Sequence, residues 1–339
     1  MKKKKISISD IAHELGVSIA TVSFILNGKS REMRISEKLT RRVLHYVKKV
    51  GYKPNHLAQS LRTGKTNTIA LMVEDISNPF FSNVARLIEE QAYKVGYKII
   101  YCSTENSTRK TREMIGIFDD KHVDGYIIAP PAGVSADIQA LIARKIPVVL
   151  FDRYLPRLKT NFVGVDNYQG TMEAIEHLIG QGNRQIGFVT TNSTQTQMKE
   201  RLQGYLAATE QRGKKAVVLK LAYRHDHANV TQEIASFLKK NRKLDAVFFA
   251  TNYLANSGLE ALQRLGYKIP ADLRIVAFDD HDFYSFYNPT ITAVAQPVEE
   301  ISKNVISILL DHLEDGNRPI ESVSLPTRLV VRASSSLKC

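Results

Sequence analysis

From residue 69 onward, short β-branched runs alternate with stretches of helical pattern. No other feature of this 339-residue chain restricts its fold as strongly. The strand-like runs are 69–73, 98–102, 125–129, 148–151, 186–189, 217–221, 246–250 and 274–278, and stretches such as 81–95, 171–179 and 256–265 suit crossover helices between them. Strands separated by helices pair in parallel and are covered on both faces, which predicts doubly wound α/β sheets. More than 250 residues of this pattern suit two lobes.

Ligands of such sheets lie beyond the carboxyl ends of the strands. Asp152-Arg153, Asn252 and Asp279-Asp280 each follow a strand-like run, and Phe80 and Phe81 follow the loop after the first. Carboxylates and an amide bond hydroxyl pairs, and aromatic faces cover the C–H face of a sugar, so the set suits a polyhydroxyl ligand. Acids at strand ends also cap helices, and paired phenylalanines also fill cores. The cluster therefore carries more weight than any member.

Before residue 69 the chain changes character. Through Lys65 there are fifteen Lys and Arg against four acids, which places +11 of the total +13 in the first fifth of the chain. Charge gathered in one small segment points to a nucleic-acid partner for that segment, and the nearly neutral remainder to something else. Ile8, Ile11, Ala12 and Leu15 form the apolar stripe of a short helix that Gly16 stops. Ser18 is placed to cap a second helix with Val22, Ile25 and Leu26 inward, and Ser36 a third with Leu39, Val43, Tyr46, Val47 and Val50 inward, ended by Gly51 and Pro54. Two short helices joined by a glycine turn predict a helix-turn-helix, whose second helix enters the major groove. A plain three-helix bundle shows the same periodicity. It needs neither the charge nor the small residues Ser18, Ile19, Ala20, Thr21 and Ser23, which let the backbone approach a duplex. Ser and Thr hydroxyls reach phosphates or base edges, and Ile19, Ala20 and Phe24 suit thymine methyls.

Asp10-Ile11-Ala12, Gly16-Val17-Ser18-Ile19-Ala20-Thr21-Val22-Ser23 and Leu26-Asn27-Gly28 resemble the start of the lactose/galactose-repressor (LacI/GalR) family. Gly51-Tyr52-Lys53-Pro54-Asn55, Ala58-Gln59-Ser60-Leu61-Arg62-Thr63-Gly64, Asn78-Pro79-Phe80-Phe81, Val123-Asp124-Gly125, Pro147-Val148-Val149 and Asp166-Asn167 extend the resemblance over the whole chain. It implies an N-terminal all-α helix-turn-helix domain (1–53), a hinge helix and linker (54–66), and a two-lobed periplasmic-binding-protein-like core (67–339) of parallel doubly wound sheets. The N-lobe is expected at about 67–167 plus 297–325, and the C-lobe at about 168–296 plus 326–339.

The resemblance implies a sequence-specific transcriptional regulator, a repressor in the family's usual manner, working as a cytoplasmic homodimer on a pseudo-palindromic double-stranded DNA operator. Its operator affinity would be controlled by a small effector, a sugar or sugar derivative. The DNA-contact candidates are Ser7, Ile8, Ser18, Ile19, Ala20, Thr21, Ser23, Phe24, Asn27, Arg34, Ser36, Tyr52, Asn55, Ala58, Leu61 and Arg62. Phe24 stands where the family usually carries a polar reader. Residues 55–62 are too few for an isolated helix in water, so a hinge helix would order on DNA, with Leu61 as a minor-groove wedge. The effector candidates are Phe80, Phe81, Asp152, Arg201, Asn252 and Asp279; Arg201 enters through Arg201-Leu202-Gln203-Gly204-Tyr205, and Tyr253 stands where Asp is common.

Other classes fit less well. No H-E-x-x-H, G-x-S-x-G or complete G-x-G-x-x-G is present, and Gly64-Lys65-Thr66 lacks the P-loop glycine, Gln59 standing in its place. No cofactor, metal or catalysis is therefore expected; His225-Asp226-His227 and residues 279–282 suit solvated loops. No apolar run approaches the ~18 residues of a membrane span, and the basic start lacks the apolar stretch of an export signal. That disfavours a periplasmic sugar-binding protein, the closest rival in fold. A sugar-modifying enzyme would need a visible acid/base pair or phosphate cradle. Cys102 and Cys339 suit free thiols in a reducing compartment, and the end of the chain lacks a leucine heptad, so no coiled-coil tetramer is expected.

Overall fold

The computed structural model describes residues 6–52, 64–223 and 226–336, and the chain divides into two units, Met1–Thr66 and Asn67–Cys339. In the first unit α1 (Ile8–Leu15), α2 (Ile19–Leu26) and α3 (Glu37–Val50) follow one another. Ser7 and Asp10 cap α1 reciprocally, and Gly16 ends it at φ 65°, a left-handed turn that costs glycine least. The chain bends by 111° from α1 to α2, within the range of a helix-turn-helix. Ile11, Ala12, Leu15, Val22, Ile25 and Val43 are buried together, with Leu26, Leu39, Tyr46 and Val47 packed around them. Val50, expected on the buried side of α3, is only half-buried. It occupies the last turn and is not among the side chains packed on that core.

The second unit follows the order β1 (Thr68–Val73), α4 (Pro79–Lys94), β2 (Lys98–Ser103), α5 (Thr108–Asp120), β3 (Gly125–Ile128), α6 (Ser135–Ala143), β4 (Val148–Phe151), β5 (Asn161–Val165) and α7 (Asn167–Gly180). It continues with β6 (Ile186–Thr191), α8 (Thr196–Gln211), β7 (Val217–Leu221), α9 (His227–Lys240), β8 (Ala246–Phe249), α10 (Asn252–Leu265), β9 (Arg274–Phe278) and α11 (Asp282–Phe286). It closes with β10 (Thr292–Ala295), α12 (Val298–Glu314), β11 (Ser322–Leu325) and β12 (Arg328–Val330). Among the described residues the strands form two sheets, ordered β11-β5-β4-β3-β1-β2 and β12-β10-β9-β8-β6-β7. All neighbours are parallel except β12, which runs antiparallel to β10. Each sheet contains the 2-1-3-4-5 order of doubly wound folds, reversing between its first and third strands. The chain crosses between lobes after β5, after β10 and between β11 and β12.

Side chains alternate across each sheet and fill both faces. On β1, Ile69, Leu71 and Val73 pack under α4 and α12, while Ala70 and Met72 pack with Ile115 and Phe118 of α5 and Ile138 of α6. In the other lobe Val247 and Phe249 of β8 face α9 and α10, while Ala246 and Phe248 face α7 and α8. The period of two, apolar on both sides, explains why these strands read as continuous hydrophobic runs.

Several helices begin earlier than their apolar periodicity suggests: α4 at Pro79, α7 at Asn167 and α10 at Asn252. Asn78, Asp166 and Thr251 cap them through Phe80, Gln169 and Leu254 amides. Asn167 and Asn252, which open the first turns of α7 and α10, are buried polar residues and carry no apolar signal.

Candidate functional site

The head unit presents the second helix of the pair. Ser18 accepts from the Thr21 amide at 3.1 Å, and its hydroxyl lies 2.9 Å from that of Thr21, so both are partly committed to the cap. Ile19 and Ala20 are exposed, whereas Thr21, Ser23 and Phe24 are half-buried. Asn27 is exposed but folds back, Nδ2 donating to the Ser23 carbonyl at 2.8 Å. Ser36 caps α3 through the Leu39 amide at 3.3 Å, and Ser7 caps α1. Arg34 is exposed at a positive φ, 53°, while Ile8 and Tyr52 are half-buried. Ser7, Ser18, Ile19, Ala20, Asn27, Arg34 and Ser36 thus sit at the surface of one small bundle. Asn55, Ala58, Leu61 and Arg62 lie outside the described residues.

In the core unit five of the six effector candidates line one recess: Phe80, Phe81, Asp152, Arg201 and Asp279. Arg201 reaches it from α8. Its Nε donates to Asn167 Oδ1 at 2.8 Å, its Nη1 donates to the Ala250 carbonyl at 2.7 Å and lies 3.6 Å from Asp279 Oδ2, and the guanidinium stacks 3.5 Å from the centre of the Phe278 ring. Gly204, one turn on, allows this approach: a Cβ there would collide with the Tyr168 carbonyl of α7. Tyr205 then anchors the helix, its hydroxyl donating to the Ile186 carbonyl at 2.9 Å and accepting from the Val217 amide at 2.7 Å. Asp279, at φ 71°, accepts from Gln296 Nε2 at 2.6 Å.

Asp280 turns the other way. It receives both terminal nitrogens of Arg332 at 2.8 Å, the bidentate geometry of a structural ion pair. Phe81 stacks edge-on against Phe151 in the N-lobe core as well as lining the recess.

The most buried charge is Arg153. Its Nη2 donates to Glu74 Oε2 at 2.6 Å, Nε to Asp152 Oδ2 at 2.8 Å and Nη1 to Asn106 Oδ1 at 2.7 Å. Burial works against its charge, but Asp152 and Glu74 outweigh that and raise its pKa. The recess left around these groups holds only about 30 Å³, room for about two waters.

A larger cavity of about 260 Å³ opens beside it, lined on one side by Glu74, Asp75, Ser77 and Asn78 and on the other by Tyr223, His227, Asn252, Tyr253, Asn256 and Ser257. Glu74, Asn78 and Tyr253 border both spaces. Asn252, the sixth candidate, lines this outer chamber rather than the recess. Its Nδ2 donates to Asn78 Oδ1 at 2.8 Å while Asn78 Nδ2 donates to Asn252 Oδ1 at 3.2 Å. Burial and then Glu74 raise the phenol pKa of both Tyr223 and Tyr253, so both remain donors at neutral pH. Gln195 Nε2 to Asn106 Oδ1 at 2.8 Å and Tyr154 hydroxyl to Glu200 Oε1 at 3.2 Å also join the lobes. Burial raises the Glu200 pKa, opposed by Asn167 and Tyr154.

His227 lies between Ser257, whose Oγ is 2.8 Å from Nδ1, and Glu260, 2.7 Å from Nε2. The order imitates a hydrolytic triad, but Ser257 sits inside regular α10 with no strained turn to present it. Thr231 and Arg264 also bond Glu260, and the cluster braces α9 against α10. Among the described residues no group of three possible metal ligands comes together; Asp226 caps α9 and His225 lies outside them. Cys102 is a half-buried free thiol whose pKa burial pushes up to about 11, so it is inert as a nucleophile.

From the sequence Arg153 stands out only beside Asp152, and Glu74, Asn78, Gln195, Gln197, Tyr223 and His227 do not stand out as ligand residues. Position after a strand was a usable signal for Glu74 and Arg153, which directly follow β1 and the β4-Asp152 corner. Nothing local marks the others.

Residues 7–55 match the family model for bacterial regulatory proteins of the lacI family, and residues 175–335 that for a periplasmic binding protein-like domain. The chain is 30% identical over 340 residues to the HTH-type transcriptional regulator DegA of Bacillus subtilis (strain 168), covering 98% of each chain. A LacI family transcriptional regulator from Enterococcus faecium, solved with bound ribose, superposes with a TM-score of 0.71 at 27% identity, covering 80% of this chain and 100% of that one. The lac repressor dimer bound to operator and the anti-inducer ONPF superposes with a TM-score of 0.86, covering 98% and 100%; at 20% identity the likeness is one of fold.

Proposed function

This chain belongs to the lacI family of bacterial regulatory proteins, a DNA-binding transcriptional regulator, and from that premise we propose that its operator affinity is set by a carbohydrate held between the two lobes of its core. One observation carries the reading. Side chains from the carboxyl ends of strands in both sheets converge on a single polar cleft, and Asn78 and Asn252 hold it shut across the lobes. Asp279, Arg201, Asn252 and Asp152 bond ligand hydroxyls in this reading, and Phe80 and Phe81 offer apolar faces. The ribose in the Enterococcus faecium regulator supports a sugar as the ligand class.

The head reads DNA through the surface of α2, with Ile19, Ala20 and Phe24 at thymine methyls and Ser18, Thr21, Ser23 and Asn27 at phosphates or base edges. Ser7, Ile8, Arg34, Ser36 and Tyr52 position the bundle on the backbone, and Asn55, Ala58, Leu61 and Arg62 act in the hinge. Two copies read a pseudo-palindrome, because the symmetry of a homodimer imposes the symmetry of its site. The protein works in the cytoplasm, where that DNA is, and the cleft senses rather than catalyses.

An effector that prefers one lobe arrangement biases the hinges, and DNA and effector affinities are then coupled reciprocally. The test is a mobility-shift titration of the full chain on duplexes selected from a random pool, with and without sugars that raise its melting temperature. A stabilising sugar should shift operator affinity about 5–150-fold. An operator affinity that no stabilising sugar changes removes the coupling, and no salt-sensitive attachment to any duplex removes the DNA reader.

A further inference from the structure

Five of the six residues first singled out for the effector, all but Asn252, surround a recess that admits hydroxyls but is too small for a sugar ring. The recess around Asp152, Arg201 and Asp279 has about 30 Å³, whereas the chamber on the other side of Glu74, Asn78 and Tyr253 has about 260 Å³. A ring the size of benzene needs ~150 Å³, so only the chamber admits a sugar ring in this lobe arrangement.

The charges facing both spaces are unbalanced. Among the described residues Glu74, Asp75, Asp152 and Asp279 supply four carboxylates, and Arg153 and Arg201 supply two guanidiniums. Each guanidinium already faces a carboxylate. Arg153 spends each side of its fork on Glu74, Asp152 and Asn106, and Arg201 is held by Asn167, the Ala250 carbonyl and Asp279. Among the described residues the chamber wall has Glu74 and Asp75 and neither Lys nor Arg; Arg224 and His225 lie outside them.

The recess also holds an unmet acceptor. Gln197 is 4% exposed, its Nε2 donates to Asp152 Oδ2 at 3.4 Å, and its Oε1 is buried without a hydrogen-bond partner. A buried acceptor of that kind is satisfied by an O–H or N–H and repelled by a carboxylate or phosphate oxygen.

Resting on the carbohydrate reading above, we propose that the effector seats its ring in the outer chamber between Asp75 and Ser257, hydrogen-bonds as a donor toward Glu74 and Gln197, and carries no negative charge. Neutral sugars and amino sugars are its class; sugar acids and sugar phosphates are rejected. The Asn78–Asn252 pair supplies two amides, one from each lobe, that exchange their mutual bonds for hydroxyls of the ring. Ser257 lies in the floor, its hydroxyl shared with His227.

The experiment uses the full chain at fixed ionic strength, with thermal shift followed by calorimetry. The probes are matched: D-ribose with ribose 5-phosphate, D-glucose with D-glucosamine, D-gluconate and glucose 6-phosphate, D-galactose with D-galacturonate, and cellobiose. A neutral or amino sugar should bind, and its anionic counterpart should bind at least about tenfold more weakly. An acid or phosphate that binds as tightly as its neutral parent overturns the inference and leaves the carbohydrate reading standing. If no probe binds, the carbohydrate reading itself falls, and the inference with it.

Two variants place the ligand. Ser257→Leu fills the chamber and should lower affinity for the bound sugar at least about tenfold; unchanged affinity in a folded variant overturns the seat. Glu74→Gln removes one negative charge and releases one arm of Arg153, and should raise affinity for the anionic counterpart about tenfold. No gain there overturns the charge argument even where Ser257→Leu fails to fold.

Discussion

The carboxamides of Asn78 and Asn252, 174 residues apart in the chain, donate to one another across the cleft at 3.2 and 2.8 Å. Asn78 Oδ1 also accepts from the Phe80 amide and so caps α4. Replacing Asn78 by Asp keeps the cap but removes the donor to Asn252. Asn78→Asp and Asn252→Ala should therefore be coupled by about 0.5–1.5 kcal/mol in a double-mutant cycle on effector affinity. Additive single effects would show that the pair plays no part in closing the site.

Neighbouring aspartates should separate in effect. Asp280→Ala leaves Arg332 without its bidentate partner and should cost about 1.5–3 kcal/mol in urea unfolding. Asp279→Ala should weaken effector binding at least tenfold by calorimetry, as expected of a lost charged hydrogen bond to a ligand hydroxyl. Unchanged calorimetric affinity would take Asp279 out of the site.

Gly204→Ala drives a methyl into the Tyr168 carbonyl where α7 and α8 touch. The helices must part, at about 1–3 kcal/mol, and Arg201 moves with them. Lower unfolding free energy together with weaker effector binding is expected; lost stability with unaltered binding would mean that Arg201 does not depend on this contact.

Burial lowers the pKa of His177, further opposed by Arg274, and that of His281, against which Asp280, Asp279 and Asp282 pull upward. A histidine kept neutral by the fold takes up its proton more readily when unfolded. Its contribution is present above the unfolded value of about 6.5 and fades as pH falls through it. Glu200, whose carboxyl is raised, works in the opposite direction, but nearer the carboxylate range. Urea midpoints should therefore fall from pH 8 to pH 6, and His281→Gln should flatten that slope. A midpoint that rises over this interval contradicts the assignment.

Leu61→Ala should reduce affinity for a selected operator while leaving affinity for unrelated duplex nearly intact, since a wedge acts only where the step it opens is the right one. Equal losses on both DNAs in mobility-shift titrations at one salt concentration would assign Leu61 to packing instead.

Much of this molecule was legible before any fold was known. The strand runs, the head helices with their Ser caps, and the acids and amide at strand ends are local signals, because a cap or a period of two or 3.6 is written within a few neighbouring residues. The starts of α7 and α10 were missed because their first turns bury polar residues, Asn167 and Asn252, which add nothing to an apolar period. Asp152 and Asp280 looked alike in sequence; only their partners, Arg153 and Arg332, distinguish a cleft wall from a structural pair.

The sequence alone therefore determined the two kinds of domain, the concentration of positive charge in the first, and which strand ends could hold ligands. Only the tertiary structure decided how those ends meet: that Glu74 neutralises Arg153 from 79 residues away, that a nearly filled recess lies beside a roomier chamber, and that among the described residues carboxylates outnumber guanidiniums there. Propensity and periodicity act over a few bonds, while cavity size and charge balance are properties of side chains brought together through space, and no local pattern encodes them.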